Sequence, residues 1–377
     1  VSKWPEKHII GLTGNIATGK SVVRKMLEHL GAYGIDADAL AHRAIARGAP
    51  GYQPVLDMFG RWLLDTNKQI DRARLGRFVF TDTEALGQLE AIIHPLVGQA
   101  IDLLIRRATQ PIIVIEAIKL IESKLDSACD TVWATFSPEN LQKARLMDKR
   151  GLNEAEALQR IHMQPPQEQK MAAADVVIQN TSSFEDTWKQ VVAAWKVISP
   201  VSDTSPVIVK EAAAGELAVQ RGRPRDSGTI AELITRLSAG TRPTTQKDVM
   251  AAFGEKAYLL LKSGEQHVGL IGWQVENLVA RTTEIYIDPS IPIKEAVKTL
   301  ATEVEHASKD LQCEASLLFL PPQMASQESV WRELGYEGRT PHSLAVQAWQ
   351  DAAIESMPPN TIMLFKQLRQ DRVLRPI

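Results

Sequence analysis

One eight-residue stretch, Gly14-Asn15-Ile16-Ala17-Thr18-Gly19-Lys20-Ser21, limits the possible folds more than any other part of the chain. It fits the spacing G-x-x-x-x-G-K-[S/T], in which successive main-chain N–H groups turn inward to cradle a phosphate. Glycine is required where a side chain would collide with the anion or where φ must be positive, and Gly14 and Gly19 fall at those two places. The apolar run at 8–13 reads as a strand entering the loop, and beyond it Val22, Val23, Met26, Leu27 and Leu30 recur on one helical face. Strand, loop and helix are contiguous, as the motif requires, and the helix N-terminus adds partial positive charge. A chance lysine in a glycine turn would lack that setting.

The first half of the chain repeats this alternation. Strand candidates at 8–13, 32–36, 111–117, 131–136 and 175–180 are separated by helical periodicity. Right-handed crossovers then give a parallel sheet covered on both faces, an α/β fold. Near residue 199 the pattern stops in a stretch rich in Pro, Ser, Asp and Thr, which predicts a linker at 199–215 between domains at 1–198 and 216–377. The second half predicts a strand and helix, antiparallel strands around Lys262-Ser263-Gly264-Glu265-Gln266, a helix at 294–308, a strand, a short helix ending in "ELGYEG", and a last strand. That is an α+β arrangement with a mixed sheet. A length of 377 residues suits two or three cores.

Composition removes other classes. The formal charge of −2 gives no general pull toward nucleic acid or an anionic membrane. The longest apolar runs, at 111–118 and 315–322, are strand-sized, so no membrane span is expected. Cys129 and Cys313 lie far apart, which argues against a disulfide framework or zinc site and for a reducing, cytoplasmic setting.

The acceptor of the phosphate is sought where the strands of an open parallel sheet end. Asp36 and Asp38 flank Ala37 at the end of the second strand candidate. Either both side chains share a face, or Asp38 caps the following helix. A carboxylate facing the terminal phosphate can orient a hydroxyl and take its proton. No guanine-reading N-K-x-D element follows in this half, so a kinase fits better than a GTPase.

At this point residues 1–198 resemble dephospho-coenzyme A kinase. The resemblance is carried by "GLTGNIATGKS", "GIDADALAHRAI", "FGRWLLDTNKQIDRARLGRFVF" with "LEAIIHPLV", "LQKARLMDKRGLNEAEALQRIHMQ" and "AADVVIQNTSS", in that order. It implies a P-loop kinase with an acceptor-binding region at about 36–110 and a lid at about 137–170. The implied reaction is transfer from ATP, with Mg²⁺, to the ribose 3′-hydroxyl of dephospho-CoA, giving CoA and ADP. By matched position, Gly14, Asn15, Ile16, Ala17, Thr18, Gly19, Lys20 and Ser21 hold the nucleotide, with Ser21 also on the metal. Asp38 is the implied base, and Arg150 and Arg145 of the lid close over phosphate, with Arg160 a third lid arginine or a solvated one. Asp36 and His94 fall in the acceptor region, where His94-Pro95 also fits a helix start. Asn180 either approaches the adenine or forms a turn. Glu116 and Asp36 are both candidates for a carboxylate that supports Mg²⁺. The chain departs from the family at Asn15, Ala17 and Thr18, which the glycine geometry tolerates, and at Ile118-Lys119-Leu120. There Lys119 either helps hold an anionic acceptor or is an ordinary strand-end lysine. Two other readings remain: a P-loop kinase for another nucleoside or nucleotide, and a catalytically silent nucleotide-binding regulator.

Residues 206–377 resemble more weakly the GNAT acyltransferase fold, in the order of elements and in "GEQHVGLIGW", "EIYIDPS" and "VWRELGYE". In that family a glycine-rich segment between strand and helix gives main-chain N–H groups to the CoA pyrophosphate. Here Pro289, Ile291, Pro292 and Ile293 stand in that segment, and proline has no N–H to give. The resemblance therefore implies a GNAT-like module without acetyltransferase activity, either binding CoA or acyl-CoA as a sensor or serving as an interaction module.

Overall fold

The structure, a computed structural model, describes residues 3–199 and 217–374. Apart from Ser199, the expected linker lies outside the described residues. The first half runs β1 (His8–Thr13), α1 (Lys20–His29), β2 (Tyr33–Asp36), α2 (Ala37–Ala44), α3 (Tyr52–Phe59), α4 (Arg72–Val79) and α5 (Thr83–Arg107). It continues with β3 (Ile112–Glu116), β4 (Thr131–Phe136), α6 (Glu139–Arg150), α7 (Glu154–His162), α8 (Gln167–Ala172), β5 (Val176–Gln179) and α9 (Phe184–Ile198). The five strands are parallel in the order β2-β3-β1-β4-β5. Each is within one residue of its sequence-based position at either end.

These strands are apolar throughout because both faces are covered. Ile9, Tyr33, Ile35, Ile113 and Ile115 share one cluster with Leu40 of α2 and Ala100, Ile101 and Leu104 of α5. The alternate residues Ile10, Leu12, Val114 and Trp133 share the other with Val23, Met26 and Leu27 of α1 and Val191 of α9. Since β1 is central, the loop that follows it emerges in mid-sheet. The pairing sets Leu12, Asp36 and Glu116 side by side at the strand ends.

The acceptor region resolves into four helices. Asp82 caps α5 by accepting from Glu84 N and Ala85 N. His94-Pro95 does not start this helix but lies inside it, with His94 exposed. Contrary to the sequence expectation, α5 is long and apolar enough to cross a membrane by length and composition alone. Its inner face is packed in the core described above.

The second half runs β6 (Leu217–Arg221), α10 (Ser227–Leu237), α11 (Gln246–Ala252), β7 (Ala257–Ser263), β8 (Gln266–Glu276), β9 (Val279–Ile287) and α12 (Ile293–Asp310). Then come β10 (Ala315–Leu320), α13 (Pro322–Ala325), α14 (Glu328–Glu333), β11 (Glu337–Gly338), α15 (Gln347–Ser356) and β12 (Ile362–Gln367). The sheet is mixed, in the order β11-β12-β10-β9-β8-β7-β6. All neighbours are antiparallel except β9 and β10, which pair only from Val279 to Thr282 and Ala315 to Leu318. Three helices, α11, α13 and α15, escaped the sequence reading. The first had a readable signal, a Thr245-x-x-Asp248 capping box whose two reciprocal bonds are both made.

Candidate active site

The phosphate loop joins β1 to α1 and is braced from every side. Gly14 has φ 148°, and a Cβ there would lie 2.3 Å from Thr135 Oγ1. At Gly19, φ is 95° and a Cβ would lie 1.9 Å from Asn180 Nδ2. Both positions therefore exclude any side chain. Ala17 also takes a left-handed φ of 58°. Its replacement of glycine is thus not neutral to the loop geometry, as the sequence had suggested, because alanine carries a Cβ penalty there.

The braces are specific. Asn15 Nδ2 donates to Pro165 O at 2.7 Å, and Ile16 N donates to Gln164 Oε1 at 2.7 Å. Thr18 Oγ1 donates to Asn15 O at 2.8 Å and lies 2.7 Å from Thr135 Oγ1. Asn180 Nδ2 donates to Thr18 O at 3.0 Å, while Arg145 donates to Ala17 O and Asn180 O, each at 3.0 Å, and to Ser137 Oγ at 2.8 Å. Asn180 and Arg145 thus hold the loop itself, and Asn180 is engaged there rather than in a turn.

Charge gathers at the ends of β1, β2 and β3. Lys20 is buried and donates to Asn15 O at 3.1 Å. Burial pushes its pKa below that of an ordinary lysine, against the opposing pull of Glu116 and Asp38. Ser21 Oγ donates to Glu116 Oε1 at 2.8 Å, and the other oxygen, Glu116 Oε2, accepts from Arg24 Nε at 2.7 Å. Glu116 is therefore the carboxylate beside the Ser21 hydroxyl. Among the described residues no group of three or more His, Cys, Asp or Glu forms a metal cage.

The two aspartates differ in role. Asp36, not Asp38, caps α2, accepting from Ala39 N at 2.8 Å. Burial and neighbouring Glu116 push its carboxyl up to about 6. Asp38 lies in the first turn of α2, and its Oδ2 accepts from Ile118 N at 3.0 Å. Burial raises its pKa, against the Ile118 bond and the Lys20 charge. Its second oxygen, Oδ1, has no hydrogen-bond partner among those described for the site.

Other predicted positions are exposed and make no described bond to this cluster. Lys119, beyond the end of β3, is exposed and pairs with Glu90 at 2.8 Å. His94, Arg150 and Arg160 are exposed, with no hydrogen bond or ion pair described for them. Sequence reading missed Lys170, which is buried, donates to Ile118 O and pairs with Glu122 at 3.0 Å. Gln164 and Arg24 were missed too. A lysine in a helix, or a glutamine in the bend between two, carries no mark of a partner some fifty or more positions away.

A family model described as dephospho-CoA kinase matches residues 8–186. Among curated relatives, the dephospho-CoA kinase of Carboxydothermus hydrogenoformans is 43% identical over 194 residues, covering 50% of this chain and 94% of its own. A solved dephospho-CoA kinase from Campylobacter jejuni is similar at 28% identity and TM-score 0.36, over 52% of this chain and 100% of its own. A PaiA N-acetyltransferase from Thermoplasma acidophilum in complex with coenzyme A is similar at 13% identity and TM-score 0.30, over 40% of this chain and 99% of its own.

Proposed function

The chain belongs to the dephospho-CoA kinase family, and on that premise we propose that its first half transfers the γ-phosphoryl group of ATP to the ribose 3′-hydroxyl of dephospho-CoA. The single observation that supports this most is the convergence of a braced phosphate loop, the Ser21–Glu116 pair and Asp38 at the ends of three adjacent strands.

In this reading the loop from Gly14 to Ser21 binds the β and γ phosphates through its main-chain N–H groups other than that of Ile16, which Gln164 already holds, and Lys20 offsets the charge carried by the moving group. Asp38 keeps one oxygen on Ile118 N and has the other for the acceptor hydroxyl, whose proton it takes as the new P–O bond forms. The acceptor region at 36–110, the lid at 137–170 and the domain division near 199–215 belong to the same proposal. So do acceptor contacts at Asp36 and His94 and lid closure carrying Arg150. The donor set fits a hard cation, since Ser21 Oγ, an oxygen donor, lies beside a buried carboxylate. Ser21 would ligate Mg²⁺ and Glu116 would steady it, and the ion when bound supplies positive charge to the phosphoryl oxygens.

ADP release with dephospho-CoA, compared with a panel of other nucleoside and nucleotide acceptors, tests this. Fast release only with dephospho-CoA is expected. Equal rates with another acceptor favour a different nucleotide kinase, and ATP binding without turnover favours a silent regulator.

For the second half the observations support a non-catalytic module. In the segment joining β9 to α12, Ser290 N donates to Asp288 Oδ1 and Ile291 N to Asp288 O, both at 3.0 Å. Pro289 and Pro292 have no N–H. From 289 to 292 every main-chain donor is thus missing or already used, which removes the loop part of a pyrophosphate cradle and leaves the start of α12. Acetyl-CoA titrated calorimetrically into the full chain with its acceptor site saturated distinguishes an interaction module, with no heat, from a CoA or acyl-CoA sensor.

A further inference from the structure

The groups assigned to chemistry ride on two helices, with Lys20 and Ser21 on α1 and Asp38 on α2. Both helices are gripped by one end of the second half's sheet: α1 by the last residues of β8, and α2 by the β8–β9 turn and by Glu314 just before β10. Lys25 Nζ on α1 donates to Val275 O at 2.8 Å. On α2, Arg43 donates Nη1 to Asn277 O at 3.0 Å and Nη2 to Glu314 Oε2 at 2.6 Å. Arg43 and Glu314 are both buried.

Between these grips Leu278 leaves its own sheet. It is buried in the apolar cluster of the kinase half that includes Tyr33, Ile35 and Leu40. The turn that carries it has φ 52° at Asn277 and 61° at Leu278. A two-residue turn with both central φ positive favours Asn-Gly, and leucine is a poor second residue for it. Burial of the Leu278 side chain in the other half offsets that backbone cost.

The contact also continues inward. Lys25 and Arg24 both pair with Glu28, at 2.8 and 2.5 Å, and Arg24 reaches Glu116 and so the Ser21 hydroxyl. Side-chain bonds therefore run unbroken from Val275 O to Ser21. On the other side α2 has eight residues, so Arg43 and Asp38 stand on one short rod.

We propose that the end of β8 and the β8–β9 turn, acting through Lys25, Arg43 and Leu278, form a positioning element that sets the spacing between the phosphate helix α1 and the acceptor-base helix α2. The idea rests on the kinase reading of the first half. An error of about 1 Å in the distance from base to phosphate is enough to cost turnover heavily while leaving the phosphate cradle intact.

The test uses the full chain with Leu278→Gly, which relaxes the backbone but removes the anchor, and Arg43→Lys, which keeps the charge but not the fork. Turnover, KM for dephospho-CoA, ATP affinity and thermal melting are measured together. Leu278→Gly is expected to lower kcat by about tenfold or more with ATP affinity within about twofold. Arg43→Lys is expected to lower kcat by about three- to tenfold, and less than Arg43→Met, with its melting curve little moved. Should Leu278→Gly fail to fold, Arg43→Lys decides by the same measures. Wild-type kcat in the folded variants, or equal losses in kcat and ATP affinity, overturns the proposal. An inactive wild-type chain removes the kinase reading beneath it.

Discussion

Replacing Gly19 by alanine should cripple nucleotide binding, and the structure says by how much. The new Cβ would lie 1.9 Å from Asn180 Nδ2, so the carboxamide must leave. Its bond to Thr18 O then goes with it, worth about 1 kcal/mol net. The residue must also hold φ 95°, far from what an L side chain prefers, at about 1–2 kcal/mol. Together these cost the bound form of the loop about 2–3 kcal/mol, or roughly 30- to 150-fold in affinity. Anisotropy of a fluorescent ATP analogue measures this directly, with thermal melting as a check on folding. A double variant, Gly19→Ala with Asn180→Ala, removes the clash and should lose clearly less than the sum of the two single losses. Affinity of Gly19→Ala within threefold of wild type would refute the reasoning, since neither the clash nor the backbone cost would then be real.

Asp38→Asn should keep ATP binding and lose turnover by about a hundredfold or more, which single-turnover kinetics can read. Because burial raises the Asp38 carboxyl, the acid limb of kcat should lie above the pH at which a free aspartate titrates. Asp36, pushed up to about 6, favours its protonated form in the fold, so its contribution to stability is full below about 4 and lost as pH rises through 6. Asparagine caps a helix as well as aspartate, so Asp36→Asn should gain about 1–2 kcal/mol at pH 7.5 and nothing at pH 4; melting at both pH values checks this, and no gain at 7.5 sinks it. His29 has the opposite sign. Half-buried, with its ring bonded to Phe253 O at 2.8 Å, and pushed down to about 4 by desolvation, it stays neutral in the fold, so stability is full above about 6.5 and falls as pH drops toward 4. His29→Gln should flatten that loss, which amounts to about 3 kcal/mol at most; an unchanged acid melting profile would count against it.

The phosphate loop and the five parallel strands were legible in the sequence because they are local. Gly14, Gly19, Lys20 and Ser21 fall within eight positions, and a strand buried on both faces shows as a continuous apolar run such as Ile112–Glu116. The identity of Asp36 and Asp38 as the informative acids was legible for the same reason, but which of them caps α2 was not. That choice turned on the Ala39 and Ile118 N–H groups, the second of them 80 positions from Asp38.

Tertiary structure alone decided the rest. It set Glu116 against a hydroxyl 95 positions earlier, turned Lys119 out toward Glu90, and engaged Asn180 and Arg145 as braces of the loop. It also drove Leu278 of one half into the core of the other. The sequence by itself determined what could bind a phosphate and which strands would surround it, since those follow from spacing along the chain. The partners of each charge depended on which distant segments the packed sheet brought to the same strand ends, and no periodicity along the chain encodes that.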